Sequence, residues 1–293
     1  MIEIEKVEFY INHTCNLTCE NCNRFNNHNF VGWQRFADHE ADLEKWAKYI
    51  TIKQVVIMGG EPLLNPSLID WIEGLNRIFG RNIQILSNGT RLAKTKKLYP
   101  LLGQKHGNWL GISWHNRNHK DMLLEQIDSF MTHPIRYPKN INDELKTNDQ
   151  LTFIDAKAVK ITVWVQDNFI SAAVHKDEEG RFTLYNNDPE EAHDDCVFVK
   201  YKSYHMINAK LYKCGPVALF PDFDKQHNLA ISDSDRHLVN SYKPLCVDEF
   251  ETRGKEFLEN IDNVIPQCKF CPSWRNSSHE IIYPEVKVKS KLA

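Results

Sequence analysis

Apolar segments rich in β-branched residues alternate with longer amphipathic segments over the first 170 residues of this 293-residue chain. Strands separated by helical stretches are typical of parallel β/α units. The predicted strands cover residues 7–12, 54–58, 82–86, 109–114 and 159–166, and the predicted helices cover residues 38–49, 66–78, 93–102 and 120–131. Pro66 suits the first turn of its helix, with Asn65 as the N-cap. The pattern predicts an α/β fold.

Four of these predicted strands have one apolar face and one mostly polar face. In the first strand, Val7, Phe9 and Ile11 alternate with Glu8 and Asn12. A strand covered by helices on both sides is apolar on both faces. In a barrel, the apolar face packs on the outer helices and the other face lines an interior that holds ligands. The alternation therefore predicts a partial (β/α) barrel.

Polar or glycine-rich segments follow the carboxyl ends of all five predicted strands. They cover residues 15–22, 59–61, 87–90, 113–116 and 166–168. Barrel enzymes place their chemistry at this end of the strands. We therefore expect the five segments to meet on one rim and to form the functional site.

The segment after the first strand carries three cysteines, Cys15, Cys19 and Cys22, in a Cys-x3-Cys-x2-Cys spacing. A cubane iron–sulfur cluster normally takes four thiolates, so a three-cysteine loop leaves one iron open. An open coordination position is where a metal site carries out chemistry. The segment after the second strand reads Gly-Gly-Glu-Pro, and adjacent glycines allow a close approach of the backbone.

Together, these motifs resemble those of the radical S-adenosylmethionine (radical SAM) superfamily over about residues 7–170. The resemblance implies that the open iron holds the amino and carboxylate groups of SAM. Reductive cleavage of SAM would then form a 5′-deoxyadenosyl radical that removes a hydrogen atom from the substrate. The electron would come from an external donor such as flavodoxin or ferredoxin. The SAM-binding residues that the resemblance implies are Gly59, Gly60, Glu61, Pro62, Ser87 and Asn88.

Two features of the cysteine loop leave alternatives open. A structural zinc site needs four N or S ligands, and His13 or His28 is available as the fourth. The family often has an aromatic residue before the third cysteine, near the adenine. This chain has Asn21 there, so either Phe25 replaces it or the adenine is held by the backbone alone.

The second half of the chain carries Cys196, Cys214, Cys268 and Cys271. With a predicted hairpin at 204–207 that turns at residues 208–209, this set resembles the Twitch domain, a shortened SPASM domain. The resemblance implies one auxiliary [4Fe-4S] cluster, because no cysteine follows Cys271. A zinc ribbon built from the same four residues is the alternative. Cys246 is either a buried apolar side chain or a further ligand.

We therefore expect a radical SAM partial barrel over residues 1–190. A small auxiliary-cluster domain of a β-hairpin and a helix, with the C-terminal tail, would cover residues 191–293. On the predicted rim, the candidates for substrate binding or proton transfer are His115, Arg117, Gln166 and Asp167. The alternative is that these polar groups bond to SAM or to one another, since polar groups in an interior need partners.

Charge and hydropathy narrow the range of partners. The net charge is −3, from 36 basic and 39 acidic residues, without long runs of one sign. This balance provides no electrostatic footprint for nucleic acid or an anionic membrane. The chain has no apolar run of membrane-spanning length, and its first residues do not resemble a signal peptide. We expect a cytoplasmic protein, whose reduced cysteines bind metal rather than form disulfides.

The predicted function is hydrogen abstraction from a small polar metabolite, such as a sugar, an aminocyclitol or a nucleoside-like compound. Net oxidation would proceed through the auxiliary cluster. Only fourteen residues precede Cys15, which leaves no room for a domain that binds a leader peptide. The alternatives are a radical SAM enzyme that modifies peptides and a non-catalytic metal-binding protein.

Overall fold

The computed structural model describes residues 1–19, 22–28, 30–103, 106–146, 149–166 and 173–273. The strands in these ranges are β1 (Ile2–Tyr10), β2 (Ile50–Met58), β3 (Ile83–Ser87), β4 (Trp109–Trp114), β5 (Ile135–Arg136), β6 (Gln150–Asp155), β7 (Lys160–Val165), β8 (Val174–Lys176), β9 (Phe182–Leu184), β10 (Ser203–Ile207) and β11 (Lys210–Tyr212). The α-helices are α1 (Glu40–Tyr49), α2 (Leu68–Phe79), α3 (Lys120–Phe130), α4 (Pro189–Asp194), α5 (Val197–Lys200), α6 (Gly215–His227), α7 (Asp233–Ser241) and α8 (Lys255–Asn260). A π-helical turn, Phe250–Gly254, precedes α8. None of the described helices is long and apolar enough to cross a lipid bilayer.

Nine of the described strands form one sheet, in the order β11-β10-β1-β2-β3-β4-β7-β6-β5. The six central strands, from β10 to β7, are parallel to one another. The strands β11, β6 and β5 are antiparallel to their neighbours. The mixed α/β class is therefore confirmed, with a largely parallel sheet. The partial barrel stays a prediction, because the strand order ends at two edges.

The alternation along the strands divides the sheet into two different faces, as predicted. The apolar side chains Val7, Ile57, Ile85 and Ile112 are fully buried in one core together with Trp46 of α1. Burying each of these side chains stabilises the fold by about 1.5–3 kcal/mol. The opposite face carries polar side chains that are also buried: Glu8, Gln84, Thr162 and His205. A polar face that is shielded from bulk solvent can bind a ligand through its polar groups.

Local chemistry explains two departures from the predicted helices. The predicted helix at 93–102 is a pair of 3₁₀ segments, Leu92–Lys94 and Lys96–Leu101, with Pro100 inside the second. A proline lacks the N–H that a continuous α-helix needs. The predicted N-cap Asn65 lies two residues before the observed N-cap Ser67, because α2 begins at Leu68. The Asn65 side chain accepts the N–H of Ser67 (2.8 Å) and donates to the carbonyl of Ile11 (2.8 Å).

The predicted hairpin of the second half is present and extends the main sheet. Asn208 and Ala209, both with positive φ, turn the chain from β10 to β11. Positive φ at both central residues is typical of the tight turns that match the twist of paired strands. Because β10 pairs in parallel with β1, this hairpin continues the N-terminal sheet. The domain division at residue 190 stays a prediction.

Trp46 connects helix α1 to this hairpin. Its side chain is fully buried, and its indole Nε1 donates to the carbonyl oxygen of Ala209 at 2.8 Å. The hairpin is held further by a bridge between Leu211 and Leu245. The N-terminal helix layer and the C-terminal hairpin therefore share one apolar core.

Trp46→Ala should lower the free energy of unfolding by about 3–5 kcal/mol, because it removes a large buried side chain and leaves a cavity. Trp46→Phe retains most of the packing and loses the hydrogen bond, so its effect should be about 1–2 kcal/mol. Urea unfolding of iron-free protein, followed by circular dichroism, measures both values. Equal stability of the wild type and the Ala variant would show that the hairpin does not depend on this contact.

Candidate functional site

The three N-terminal cysteines lie in a compact loop directly after β1. Cys19 is buried, and Cys15 and Cys22 are partly buried. All three pack around the side chain of Leu17. The backbone N–H of Leu17 lies 3.5 Å from Sγ of Cys15, at hydrogen-bonding distance for sulfur. The loop therefore holds its thiols in a sheltered, largely apolar setting.

The backbone of this loop lies against Gly59 and Gly60. The N–H of Gly60 donates to the carbonyl oxygen of Asn12, and the N–H of Glu61 donates to that of Thr14 (2.9 Å). A Cβ atom would lie 2.4 Å from the Asn12 oxygen at Gly59, and 2.5 Å from the Thr14 oxygen at Gly60. Side chains are therefore excluded at both positions. The glycines were predicted to let the backbone approach a ligand, and here they also let it approach the cysteine loop.

Glu61 is fully buried, and its carboxylate binds the segment after β3. One oxygen accepts the N–H of Leu63 (2.9 Å) and the hydroxyl of Ser87 (2.8 Å), and the other accepts the N–H of Asn88 (2.8 Å). Burial raises the pKa of Glu61 to about 7, against the lowering effect of these hydrogen bonds. Pro62 opens the 3₁₀ turn that Glu61 caps. Glu61 and Ser87, predicted as SAM contacts, therefore bind each other.

Asn88 connects the same segment to the cysteine loop. Its Nδ2 donates to Oδ1 of Asn16 at 2.9 Å and lies 3.9 Å from Sγ of Cys15. Asn16 in turn donates to the hydroxyl of Thr90 at 2.7 Å. The segments after β1, β2 and β3 thus form one hydrogen-bonded unit. These three segments are among the five that the sequence predicted to meet on the rim.

Of the predicted substrate-site residues, the structure brings His115 and Gln166 together. Nδ1 of His115 lies 3.1 Å from the carbonyl oxygen of Gln166. Since a carbonyl accepts only, this nitrogen carries the proton. Burial lowers the pKa of His115 to about 4, so the ring is neutral at pH 7. Arg117 is exposed and donates to the carbonyl of Leu145. Asp167 lies outside the described residues.

The predicted replacement of an adenine contact by Phe25 is wrong. Phe25 has positive φ, and its side chain is only 1% exposed. It lies between the rings of Phe220 and Phe223 of α6, with centroid distances of 5.8 and 5.4 Å. Its packing therefore fixes the cysteine loop onto α6. Asn21 lies outside the described residues.

Sequence reasoning missed a buried charged network on the polar face of the sheet. Nη2 of Arg24 lies 2.7 Å from Oε2 of Glu8, and Nε2 of His205 lies 2.8 Å from the same oxygen. Lys6 and Ser203 contact the other oxygen of Glu8, at 2.9 and 2.7 Å. Burial raises the pKa of the Glu8 carboxyl, but these partners outweigh it and hold the pKa well below its usual range. Strand parity placed Glu8 on this face, but gave no signal for Arg24.

This network lies between the two cysteine-containing segments. Arg24 follows Cys22 by two residues, and its guanidinium lies 4.9 Å from the ring centre of Phe198. A Cβ atom at Gly215 would lie 3.0 Å from Nε2 of His205 and 3.1 Å from Cζ of Arg24. Since Gly215 follows Cys214, the network contacts neighbours of both cysteine sets. Burial, together with the positive charge of Arg24, lowers the pKa of His205 to about 4. The His205 ring is therefore neutral at pH 7.

The second cysteine set is close enough for its members to affect one another. Burial raises the pKa of Cys214 to about 12, and Cys196 and Cys268 add to this shift. Burial also raises the pKa of Cys271 well above its usual value, followed by the effects of Cys214, Cys196 and Cys268. For Cys246, none of these four contributes to the raised pKa. The causes of these pKa shifts therefore group Cys196, Cys214, Cys268 and Cys271 together and leave Cys246 apart.

The thiol groups of both cysteine sets are suitable ligands for iron–sulfur clusters. Buried thiols whose charges would repel one another become thiolates when metal cations bind. Within the described ranges, no three His, Cys, Asp or Glu side chains converge as they do around a single metal ion. A cubane does not need such convergence, because each cysteine binds a different iron atom. Cys15, Cys19 and Cys22 would hold the SAM-binding cluster.

Gly60→Ala should remove the N-terminal cluster, because the new Cβ displaces the backbone of Thr14 and with it the cysteine loop. Anaerobically reconstituted protein should bind about four fewer iron atoms per chain than the wild type. Gly80→Ala is the matched control: Gly80 has positive φ, and a Cβ there meets no atom within 4 Å. The control should cost about 1 kcal/mol in stability and keep its iron. A full iron content in Gly60→Ala would contradict the packing argument.

The family comparison covers the part of the chain that contains this rim. The family model described as the radical SAM superfamily matches residues 9–145. That range includes the three N-terminal cysteines, the Gly-Gly-Glu-Pro segment and the Ser87-Asn88 turn, and it ends before Cys196. No curated protein matches the chain. The match to this family over residues 9–145 implies an enzyme that uses radical chemistry, and the family's cofactors are a [4Fe-4S] cluster and SAM.

Proposed function

We propose that the protein is a radical SAM oxidoreductase that acts on a small polar metabolite, such as a sugar, an aminocyclitol or a nucleoside-like compound. The observation that carries the substrate class is the buried polar face of the sheet. Gln84 is buried there and accepts a hydrogen bond from the exposed Gln54 (2.8 Å), and Thr162 is 4% exposed. Among the described residues, the Thr162 hydroxyl has no hydrogen-bond partner. Such groups suit a substrate with several hydroxyl or amino groups.

When bound, the reduced cluster and SAM supply hydrogen-atom abstraction from an unactivated C–H bond. The task of the chain is to hold both cofactors and the substrate in fixed positions. Cys15, Cys19 and Cys22 would ligate three irons, and Asn88 would orient Cys15 through its amide. Glu61 keeps the segments after β2 and β3 together, and the Gly59-Gly60 backbone would thereby be held beside the cofactor. The hydrogen bonds that hold these residues in place join segments at the ends of different strands.

We assign substrate contact to His115 and Gln166, which lie together, and to Asp167, which follows Gln166 in the sequence. His115 is neutral at pH 7, and its Nδ1–H is oriented by the Gln166 carbonyl. In this tautomer, Nε2 is an acceptor for a substrate N–H or O–H. Because its pKa lies near 4, we assign His115 to substrate binding rather than to proton uptake. Trp164, whose ring lies over Gly111, provides an apolar wall.

Net oxidation requires an electron acceptor, and we assign this role to an auxiliary [4Fe-4S] cluster on Cys196, Cys214, Cys268 and Cys271. The mutual influence of these thiols supports the assignment. Four cysteines complete the ligation of a cubane, so no iron is left to bind substrate. The polar network of Glu8, Arg24 and His205 lies between the two cysteine sets.

Replacing Cys15, Cys19 and Cys22 together by Ala should abolish SAM cleavage by dithionite-reduced protein. Iron should fall from about eight to about four atoms per chain, because only the auxiliary cluster remains. Cys246→Ala is the control and should keep both iron content and SAM cleavage. Zinc without iron in anaerobically prepared wild-type protein would contradict the proposal and support a non-catalytic metal-binding protein.

Deuterium transfer tests the substrate class. Protein incubated with SAM, dithionite and deuterated sugars, aminocyclitols or nucleosides should place deuterium in 5′-deoxyadenosine, as detected by mass spectrometry. Thr162→Val, which retains shape and removes the hydroxyl, should lower kcat/KM for the true substrate by about tenfold, corresponding to one lost hydrogen bond. Deuterium transfer from peptides alone would contradict the small-metabolite assignment.

A further inference from the structure

Lys213, the residue before Cys214, has a buried ammonium group. The residue is 4% exposed, and its Nζ donates to the carbonyl oxygen of Ile261 at 2.7 Å. No carboxylate in the described part of the chain forms an ion pair with it. The adjacent carboxylate, Asp262, instead accepts the hydroxyl of Tyr204 at 2.8 Å.

This position is unfavourable for a cation unless an anion lies nearby. An ammonium group has three N–H donors, and the carbonyl of Ile261 accepts one of them. Transfer of an unpaired charge from water into a protein interior is strongly unfavourable, so buried charges are paired or bound to metal centres. A negatively charged group is therefore expected near Lys213, and the described side chains do not supply one.

The four-cysteine set is a source of such charge beside Lys213. Lys213 is bonded covalently to Cys214, and its charge lowers the pKa of both Cys214 and Cys268, opposing the larger effect of burial. Four thiolates around an oxidised cubane leave a net charge of about −2. That charge would be buried beside the ammonium group, and each would compensate for the burial of the other.

We propose that Lys213 is the built-in counter-cation of the four-cysteine centre and raises its reduction potential. The inference rests on the auxiliary cluster of the proposed function. Reduction adds one electron, and thus one negative charge, to the cluster, while the charge of Lys213 stays the same. A fixed positive charge beside the cluster stabilises the reduced form more than the oxidised form. The cluster is thereby made a better acceptor for the electron that leaves the substrate.

The test uses the full-length chain with Cys15, Cys19 and Cys22 replaced by Ala, so that only the auxiliary cluster contributes to the signal. Lys213→Met removes the charge and retains an unbranched side chain. Lys213→Arg retains the charge. Lys210→Met is the matched control, because Lys210 is an exposed lysine on β11, three residues earlier. Each protein is reconstituted anaerobically and titrated with dithionite against redox mediators, while electron paramagnetic resonance follows the reduced cluster.

Lys213→Met should lower the reduced-to-oxidised ratio at a fixed potential by at least tenfold, a shift of about 59 mV for one electron. Lys210→Met and Lys213→Arg should stay within threefold of the parent protein. Loss of iron from Lys213→Met with iron retained in Lys213→Arg would also support the counter-cation. An unchanged potential in Lys213→Met would overturn the inference while leaving the cluster in place. Absence of iron from the parent protein would overturn the auxiliary cluster itself, and the inference with it.

Discussion

The contact between the backbone of residues 12–14 and the glycine pair Gly59-Gly60 is the constraint on which the site depends. Parallel pairing of β1 and β2 brings the two loops side by side, but only residues without a Cβ allow them to touch. The contact places the cysteine loop against the segment that carries Glu61. Glu61 then binds the turn after β3, and Asn88 of that turn reaches back to Cys15. Each of these interactions requires the one before it.

Burial of polar groups is the second theme of the structure. The apolar face of the sheet packs against α1, α2 and α3, as in many α/β proteins. The other face buries Glu8 and Arg24, whose opposite charges lie 2.7 Å apart, beside the neutral ring of His205. Such a network fixes a single arrangement of its members, because any displacement leaves a buried group without a partner. The network contacts Gly215, which follows Cys214, and it includes Arg24, which follows Cys22 by two residues, so it joins the segments that carry the two cysteine sets.

Much of the fold was predictable because its signals are local. The strand at 109–114 has the predicted bounds, and the turn at residues 208–209 lies where expected. The rim was predictable because parallel strands bring their carboxyl ends to one edge. The role of Phe25 was not predictable, since an aromatic residue near a cofactor motif is equally suited to core packing. Here its neighbours come from α6, almost 200 residues away in sequence.

The sequence by itself determined the cysteine spacing, the paired glycines and the two-faced strands, because each is a property of neighbouring residues. Only the tertiary structure decided which distant groups share an environment. It placed Arg24 and His205 on one oxygen of Glu8, paired Arg117 with the carbonyl of Leu145, and surrounded Lys213 with few partners. The physical reason is that pairing and desolvation of charge depend on the whole fold around a residue. No window of sequence contains that information.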